Sequence, residues 1–496
     1  MHTPEIEMEL KPIDIIVMRG TNVDEDYTKK AREIADYARN DLHLDFDDVE
    51  FRIVDQDRLA EMMALYDEPF PSWYAGQTYD LMKNEMRYGY FRLYESVWHK
   101  YYNPLKNKNY DVIYLNNSNS YSMMLAVIAH VYGHLHFDKH NALLSSVDVP
   151  LLNEQKSYME RFRVLESIIG EKRVEEIYDI GKTLVSLSDL YPEFRDDEKD
   201  DYYNSDKESP TKDEYDVFKF FIENGRFNKW EQELLYMMHK LYLGTEKNSR
   251  VTIMNEGFAS FVEEKYATHI SEEDMNTSLR IAYGVYSVGD PKAEGQLRYA
   301  LGLRLFKYLE EKYDKGKHGP IYEKLSYLEK ESYDAHEGRG LEKVLQAVNE
   351  KDDWSFIFSY ADTDFLKSYL TEAGYSDIDE AEGTPSDFKL NLLLSTGNYK
   401  PIVYIPRGGA NFKGGLLLEQ DLSFLNKYLG MSNEEAEATL VQNAEMLTLD
   451  NSRTHKALHR MAKAYGHLIF LRTMDPETGK PMLLISDGNT ILRDKS

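Results

Sequence analysis

Four of the fourteen histidines in this chain of 496 residues fall in one short run, Ile128-Ala-His130-Val-Tyr-Gly-His134-Leu-His136-Phe-Asp-Lys-His140. Met123, Met124, Val127 and Ile128 lead into it at helical spacing, and Ser120 or Ser122 can cap the helix start. On a helix, His130 and His134 stand four apart and project from one face. Two imidazoles so placed can chelate one ion, the arrangement that zinc proteases use. Gly133, between them, leaves room for another segment to come close to the backbone. Taken alone an H-x-x-x-H pair is a weak signal, since such pairs are common in cores and on surfaces. His136 and His140 lie just past it, where a further ligand or a partner to a ligand could sit.

A second helix can complete the set. The run Ile253-Met-Asn255-Glu256-Gly257-Phe258-Ala259-Ser260-Phe261-Val262-Glu263-Glu264 puts Glu256, Ser260 and Glu263 on one side. Ile253, Phe258, Phe261 and Val262 supply apolar cover. Asn-Glu-Gly-Phe-Ala resembles the helix that gives gluzincin-type aminopeptidases their carboxylate ligand. The expected ligands are therefore His130, His134 and Glu256, with His136 or Glu263 completing or tuning the site and zinc as the ion. The protease pattern breaks at Val131. In H-E-x-x-H that position holds the glutamate general base, a term worth ~10²–10⁴ in rate. The spacing from His134 to Glu256 is also far longer than in those enzymes. Glu263 and Glu95 are the candidate replacement bases, and Glu263 is equally a candidate fourth ligand.

Those helices need a frame. Residues 14–18 read as a short strand, 25–40 as a helix with Ala31, Ile34, Ala35 and Ala38 on one face, 49–54 as a strand, and 79–101 as an aromatic-rich helix. Residues 218–243, 251–269 and 294–315 read as further helices. The acidic stretch 196–216 reads as a solvated loop or lid. Beyond a break at 372–387 the texture changes: 390–394, 401–405, 467–472 and 482–486 are strand-like, and 433–447 and 454–465 helix-like. The expected fold is mainly α with α+β parts. It has an N-terminal α+β segment (1–120), a large helical body carrying a zincin-like two-helix metal site (121–370), and a small C-terminal α/β domain (388–496).

Composition removes several classes of function. The absence of cysteine excludes disulfides, thiolate metal sites and cysteine nucleophiles. A formal charge of −28 repels phosphate backbones, so nucleic acid is not an expected partner. No apolar run approaches the ~20 residues of a membrane span. The start, MHTPEIEMELKP, lacks the basic and apolar regions of a secretory signal, so a cytoplasmic location is expected. No phosphate-binding loop appears, and Gly408-Gly409 and Gly414-Gly415 read as turns. His455 and His459 sit on a basic helix, read as a solvated face in preference to an anion or partner site. The paired Glu-x-x-His motifs of a di-iron oxidase are missing.

With both helices in view, the chain resembles the SpoVR family (stage V sporulation protein R-like), from about Tyr27 to the C-terminus. The strongest pieces are Ala129-His-Val-Tyr-Gly-His134 with His136-Phe and Lys139, and Ile253-Met-Asn-Glu-Gly-Phe-Ala-Ser260. Weaker ones are Asp55-Gln-Asp57 to Trp73-Tyr-Ala-Gly76, Tyr88-Gly89, Tyr94-Glu95, Lys312 to Gly319, and Gly340-Leu-Glu-Lys343 through Asp353-Trp354. The chain departs from the family at Ser72, at Glu263 (often histidine), at Leu297-Arg298-Tyr299 (commonly Asn-Pro-Tyr) and at His140 (usually asparagine). The resemblance implies a link to spore cortex or cell envelope, and brings no established reaction with it.

Together these readings give a metal-dependent hydrolase acting on amide bonds of peptide or peptidoglycan. The alternative is a non-catalytic regulatory or scaffold protein with a protein partner, its histidine–glutamate cluster being a structural metal site or a buried polar network.

Overall fold

The computed structural model describes residues 16–19, 25–60, 95–103, 108–146, 152–190, 213–290, 297–372, 389–390, 392, 401–423 and 431–495. Strand β1 (Ile16–Arg19) and helix α1 (Glu25–Asn40) come first, followed by strands β2 (Asp48–Val54), β3 (Glu95–Asn103) and β4 (Lys108–Asn116). They form one sheet in the order β1-β2-β4-β3, with β3 antiparallel to β4 and the other pairs parallel. Successive residues of a strand face opposite sides. Val49, Phe51, Ile53, Ile113 and Leu115 accordingly join the main core, while Val112 and Tyr114 pack with Leu59 on the other face.

The expected helix over 79–101 is not found at its end: from Glu95 the chain is strand, with a register shift between Ser96 and His99. Pairing with β4 decides its conformation, which propensity alone does not reveal. Residues 79–94 lie outside the described set. The β-like reading of 390–394 is also corrected, since Leu390 and Leu392 are helical.

Helix α2 (Tyr121–His140) follows, started by Ser120, whose hydroxyl accepts the Met123 N–H at 3.3 Å. Then come α3 (Leu152–Ile169), α4 (Glu171–Leu184), α5 (Val217–Asn224), α6 (Lys229–Ser249), α7 (Thr252–His269), α8 (Met275–Val288) and α9 (Leu297–Asp314). Shorter helices are α10 (Gly319–Glu323), α11 (Tyr327–Ser332), α12 (Gly340–Val348), α13 (Asp353–Tyr360) and α14 (Thr363–Glu372). Most of the acidic stretch 196–216 lies outside the described residues. Its end is anchored, because Glu214 pairs with Ile405.

The C-terminal part holds β5 (Ile402–Tyr404), β6 (Leu416–Asp421), α15 (Asn433–Gln442), α16 (Ala444–Leu447), α17 (Ser452–Tyr465), β7 (Ile469–Met474), β8 (Pro481–Ser486) and β9 (Ile491–Asp494). The five strands form a mixed sheet in sequence order, with β6 and β7 parallel. Leu416, Leu418, Ile469 and Leu484 of this sheet share a core with Phe218 and Phe221 of α5 and with Leu234 and Met238 of α6. Helix α17 is docked on its own chain: His455 meets Asp450 at 2.6 Å, His459 meets Ser486 at 3.0 Å, and Arg460 donates to the Asp179 carbonyl at 2.6 Å. Gly408 and Gly414 take φ of +77°, as turn glycines do.

Helices α2 and α7 are apolar on nearly every side, which places both in the interior. Thirteen residues of α2 from Met124 to Phe137 are buried, leaving only His130 of that stretch partly open. Helix α7 lies between α2 and α9, and glycines set both crossings. A Cβ on Gly133 would stand 2.7 Å from the Ala259 Cα, and one on Gly302 would collide with the Ile253 carbonyl.

The start of α7 is capped from a distance. Val251 offers no side-chain cap, and the Asp353 carboxylate accepts the N–H groups of Ile253 (3.0 Å) and Met254 (2.9 Å) instead. Beside it Arg250 and Asp352 form a buried ion pair at 3.0 Å.

The Gly302→Ala variant should lose about 1–3 kcal/mol through overpacking against α7. A thermal melt with an unchanged midpoint would refute the close crossing.

Candidate metal centre

The crossing at Gly133 brings the two sequence-predicted helices into register. His130 and His134 share one face of α2, their rings 4.6 Å apart at 81°. Asn255, Glu256 and Glu263 face them from α7. The His130 Nε2 lies 3.5 Å from the Glu256 Oε2, and the His134 Nε2 lies 3.6 Å from the same oxygen. Both separations are too long for a good hydrogen bond, which runs to ~3.2 Å. They match the ~3.4 Å edge of a tetrahedron with metal–ligand bonds of ~2.1 Å. Among the described residues this is the group of three side chains placed to hold an ion, with one ligand atom from each within 4.8 Å of the others.

The other ring nitrogens explain why those atoms face inward. The His134 Nδ1 donates to the Asn255 Oδ1 at 2.7 Å. The His130 Nδ1 meets the Glu263 Oε2 at 3.2 Å, and a carboxylate can only accept, so the proton sits on Nδ1. Both imidazoles therefore turn a lone pair at Nε2 toward the Glu256 carboxylate. The two Nε2 atoms and the carboxylate converge on one point, where a cation would suit all three. This is the pattern in which a ligating histidine is oriented through its second nitrogen.

The charge states agree. Burial pushes the His134 imidazole down to about 4, so it is neutral near pH 7. Burial alone would raise Glu256, but the His134 and His130 rings and a hydrogen bond from the Tyr299 hydroxyl outweigh it and hold the carboxyl below its ordinary value. A neutral His134 imidazole beside an ionised Glu256 carboxylate is the protonation that metal ligation needs.

The remaining sequence candidates are placed as follows. His136 lies on a different face of α2, outside the converging group. Its Nδ1 accepts the Asp45 N–H at 2.9 Å, and its ring stacks on His140 with centroids 4.5 Å apart. Burial pushes it, too, down to about 4. His140 and Lys139 bind the Asp45 carboxylate at 3.0 and 2.8 Å. The crowd of histidines thus divides: 130 and 134 build the centre, while 136 and 140 hold the loop before β2. Glu263 stands on the Nδ1 side of His130, turned away from the convergence point of the three ligand atoms. Glu95 heads β3 opposite Leu115, and its side chain lies outside the described set. Val131, where a protease carries its base, is 1% exposed in the core.

Sequence reasoning gave no role to Asn255, Tyr299 or Asp353. Asn255 adjoins the ligand, and its acceptor oxygen was the available signal. The other two depend on helices that meet only in the fold.

A family model described as SpoVR like protein matches residues 24–202 and 185–372, which include every residue of the centre. The match ends with α14, short of the C-terminal sheet. No curated protein and no solved structure matches the chain.

His134→Gln and Glu256→Gln should each abolish metal retention, while His136→Gln should keep it. Glu263→Gln and Asn255→Ala should weaken affinity by roughly 10–100-fold. Competition against a chromogenic chelator measures all six proteins, wild type included. Equal affinity in Glu263→Gln would remove the orienting role given to that residue.

Proposed function

The chain belongs to the SpoVR-like family, and on that premise we propose that it is a mononuclear metal protein acting as an amide hydrolase on peptide or peptidoglycan. His130, His134 and Glu256 hold one divalent ion, zinc by the chemistry of the donor set. The single observation behind this reading is the convergence of two imidazole lone pairs and one carboxylate at tetrahedral-edge spacing. An ion bound there would polarise a substrate carbonyl and acidify a water molecule.

The chain's own residues supply orientation and charge. Asn255 and Glu263 fix the two rings, and Tyr299 fixes the carboxylate. Glu263 is the candidate proton acceptor only if it leaves the His130 Nδ1 that it now holds, and Glu95 is the other candidate. No helix among the described residues is long and apolar enough to cross a membrane.

One observation favours a second reading. The buried Val131 occupies the position of the protease base, and Glu263 is committed to a ring nitrogen. Both suit a metal centre that stabilises a regulatory or scaffold protein without turning over substrate.

Protein purified without added metal should carry about one equivalent by mass spectrometry, and His134→Ala none. Incubation with muropeptides and with a mixed peptide pool, read by liquid chromatography–mass spectrometry, should give chelator-sensitive cleavage products. A full equivalent of metal without any product selects the second reading. No metal in the wild type overturns both.

A further inference from the structure

A cleft of about 1120 Å³ opens between α3, α5 and α6 and shares no residue with the metal centre. Its volume suits a molecule of nucleotide or drug size. Part of the wall is apolar, from Tyr158, Leu190, Met237 and Leu243.

Set into that wall is a fixed imidazole. Asp216 is 7% exposed and uses both oxygens: Oδ1 accepts the Lys219 N–H at 3.0 Å to cap α5, and Oδ2 meets the His239 Nε2 at 2.7 Å. The ring also packs on Phe218, with centroids 5.9 Å apart. A hydrogen bond between two largely buried polar groups contributes only modest net stability. Its product here is one orientation of His239 in the cleft wall.

The charge of the lining is unlike that of the chain. Basic residues number 59 against 87 acidic overall. The cleft has five, Arg161, Lys219, Lys240, Lys247 and Arg250, against the carboxylates of Asp189, Asp216, Glu233 and Glu246. Two of these carboxylates are already matched within the wall. Glu233 takes two hydrogen bonds from Arg161, at 2.6 and 2.7 Å, and Asp216 holds His239. Lys247 is half-buried, and its ammonium has no hydrogen-bond or ion-pair partner among the described residues. A partly desolvated cation beside an apolar wall favours an anionic ligand with an apolar body. The strong negative charge elsewhere directs such a molecule to this place and not to the general surface.

We propose that this cleft is a second ligand site, for a small organic anion: an aromatic or aliphatic body carrying one acidic group. Lys247 meets the acidic group, His239 hydrogen-bonds the body, and the Tyr158–Leu243 wall covers it.

The test uses the full-length protein and 8-anilinonaphthalene-1-sulfonate, an aromatic sulfonate whose fluorescence rises on leaving water. Saturable binding of one molecule per chain is expected. Lys247→Glu should weaken it at least ten-fold and Lys247→Gln by a smaller factor. Lys29→Glu, at an exposed position on α1, and His134→Gln, in the metal centre, should leave it unchanged. Melting temperatures confirm that each variant is folded, and Lys247→Arg should restore affinity. Absence of saturable binding to the wild type overturns the site. So does equal affinity in folded Lys247→Glu and Lys247→Gln.

Discussion

The closeness of α2 and α7 at Gly133 and Ala259 is the constraint from which the rest follows. Imidazole and carboxylate side chains are short, so two helices can share one ion only where their backbones nearly touch. Any side chain at Gly133 would push Ala259 away. The Glu256 oxygen would then recede from both Nε2 atoms. The second glycine crossing, Gly257 against Gly302, presses α9 onto the other side of α7 and brings Tyr299 to the same carboxylate. Surrounding apolar residues, Phe258, Phe261 and Phe306 among them, hold this three-helix stack at fixed distance.

Packing also separates similar side chains into different tasks. Four histidines within eleven residues look alike in sequence. On a helix, the step from 134 to 136 turns the side chain by about 200°. That rotation sends His136 toward the Asp45 backbone and leaves His134 facing Asn255. Glu263 illustrates the same point on α7. Seven residues from Glu256 it lies on the same face two turns on, which puts it against the outer nitrogen of His130 and not the inner one.

What the sequence disclosed followed from short-range geometry. The spacing of His130 and His134, the Asn255-Glu256 pair, the small residue at 133 and the helix over 25–40 are local features, and local rules read them. The order of family motifs extended that reading across the body of the chain. Long-range facts were hidden for physical reasons. The strand at Glu95 exists because β4 is there to pair with it. The C-terminal sheet was visible as strands, but its dependence on α5 and α6 for a core was not, since those contacts join residues some two hundred positions apart. Solvation was assumed for α17 from its charge, yet Arg460 and both histidines find partners inside the chain.

The cap on α7 carries a consequence for biosynthesis. The carboxylate that closes the helix start belongs to Asp353, a hundred residues further along the chain. A growing polypeptide has His130, His134 and Glu256 outside the ribosome long before that carboxylate emerges. During the interval α7 has a frayed beginning next to Asn255 and Glu256. Closing so long a loop costs only slowly growing entropy, but it cannot happen early. An ion captured in that interval would meet a loose site, and one captured afterwards a shaped one. The order of synthesis therefore delays the final shape of the His130–His134–Glu256 cluster until the helical body is nearly complete.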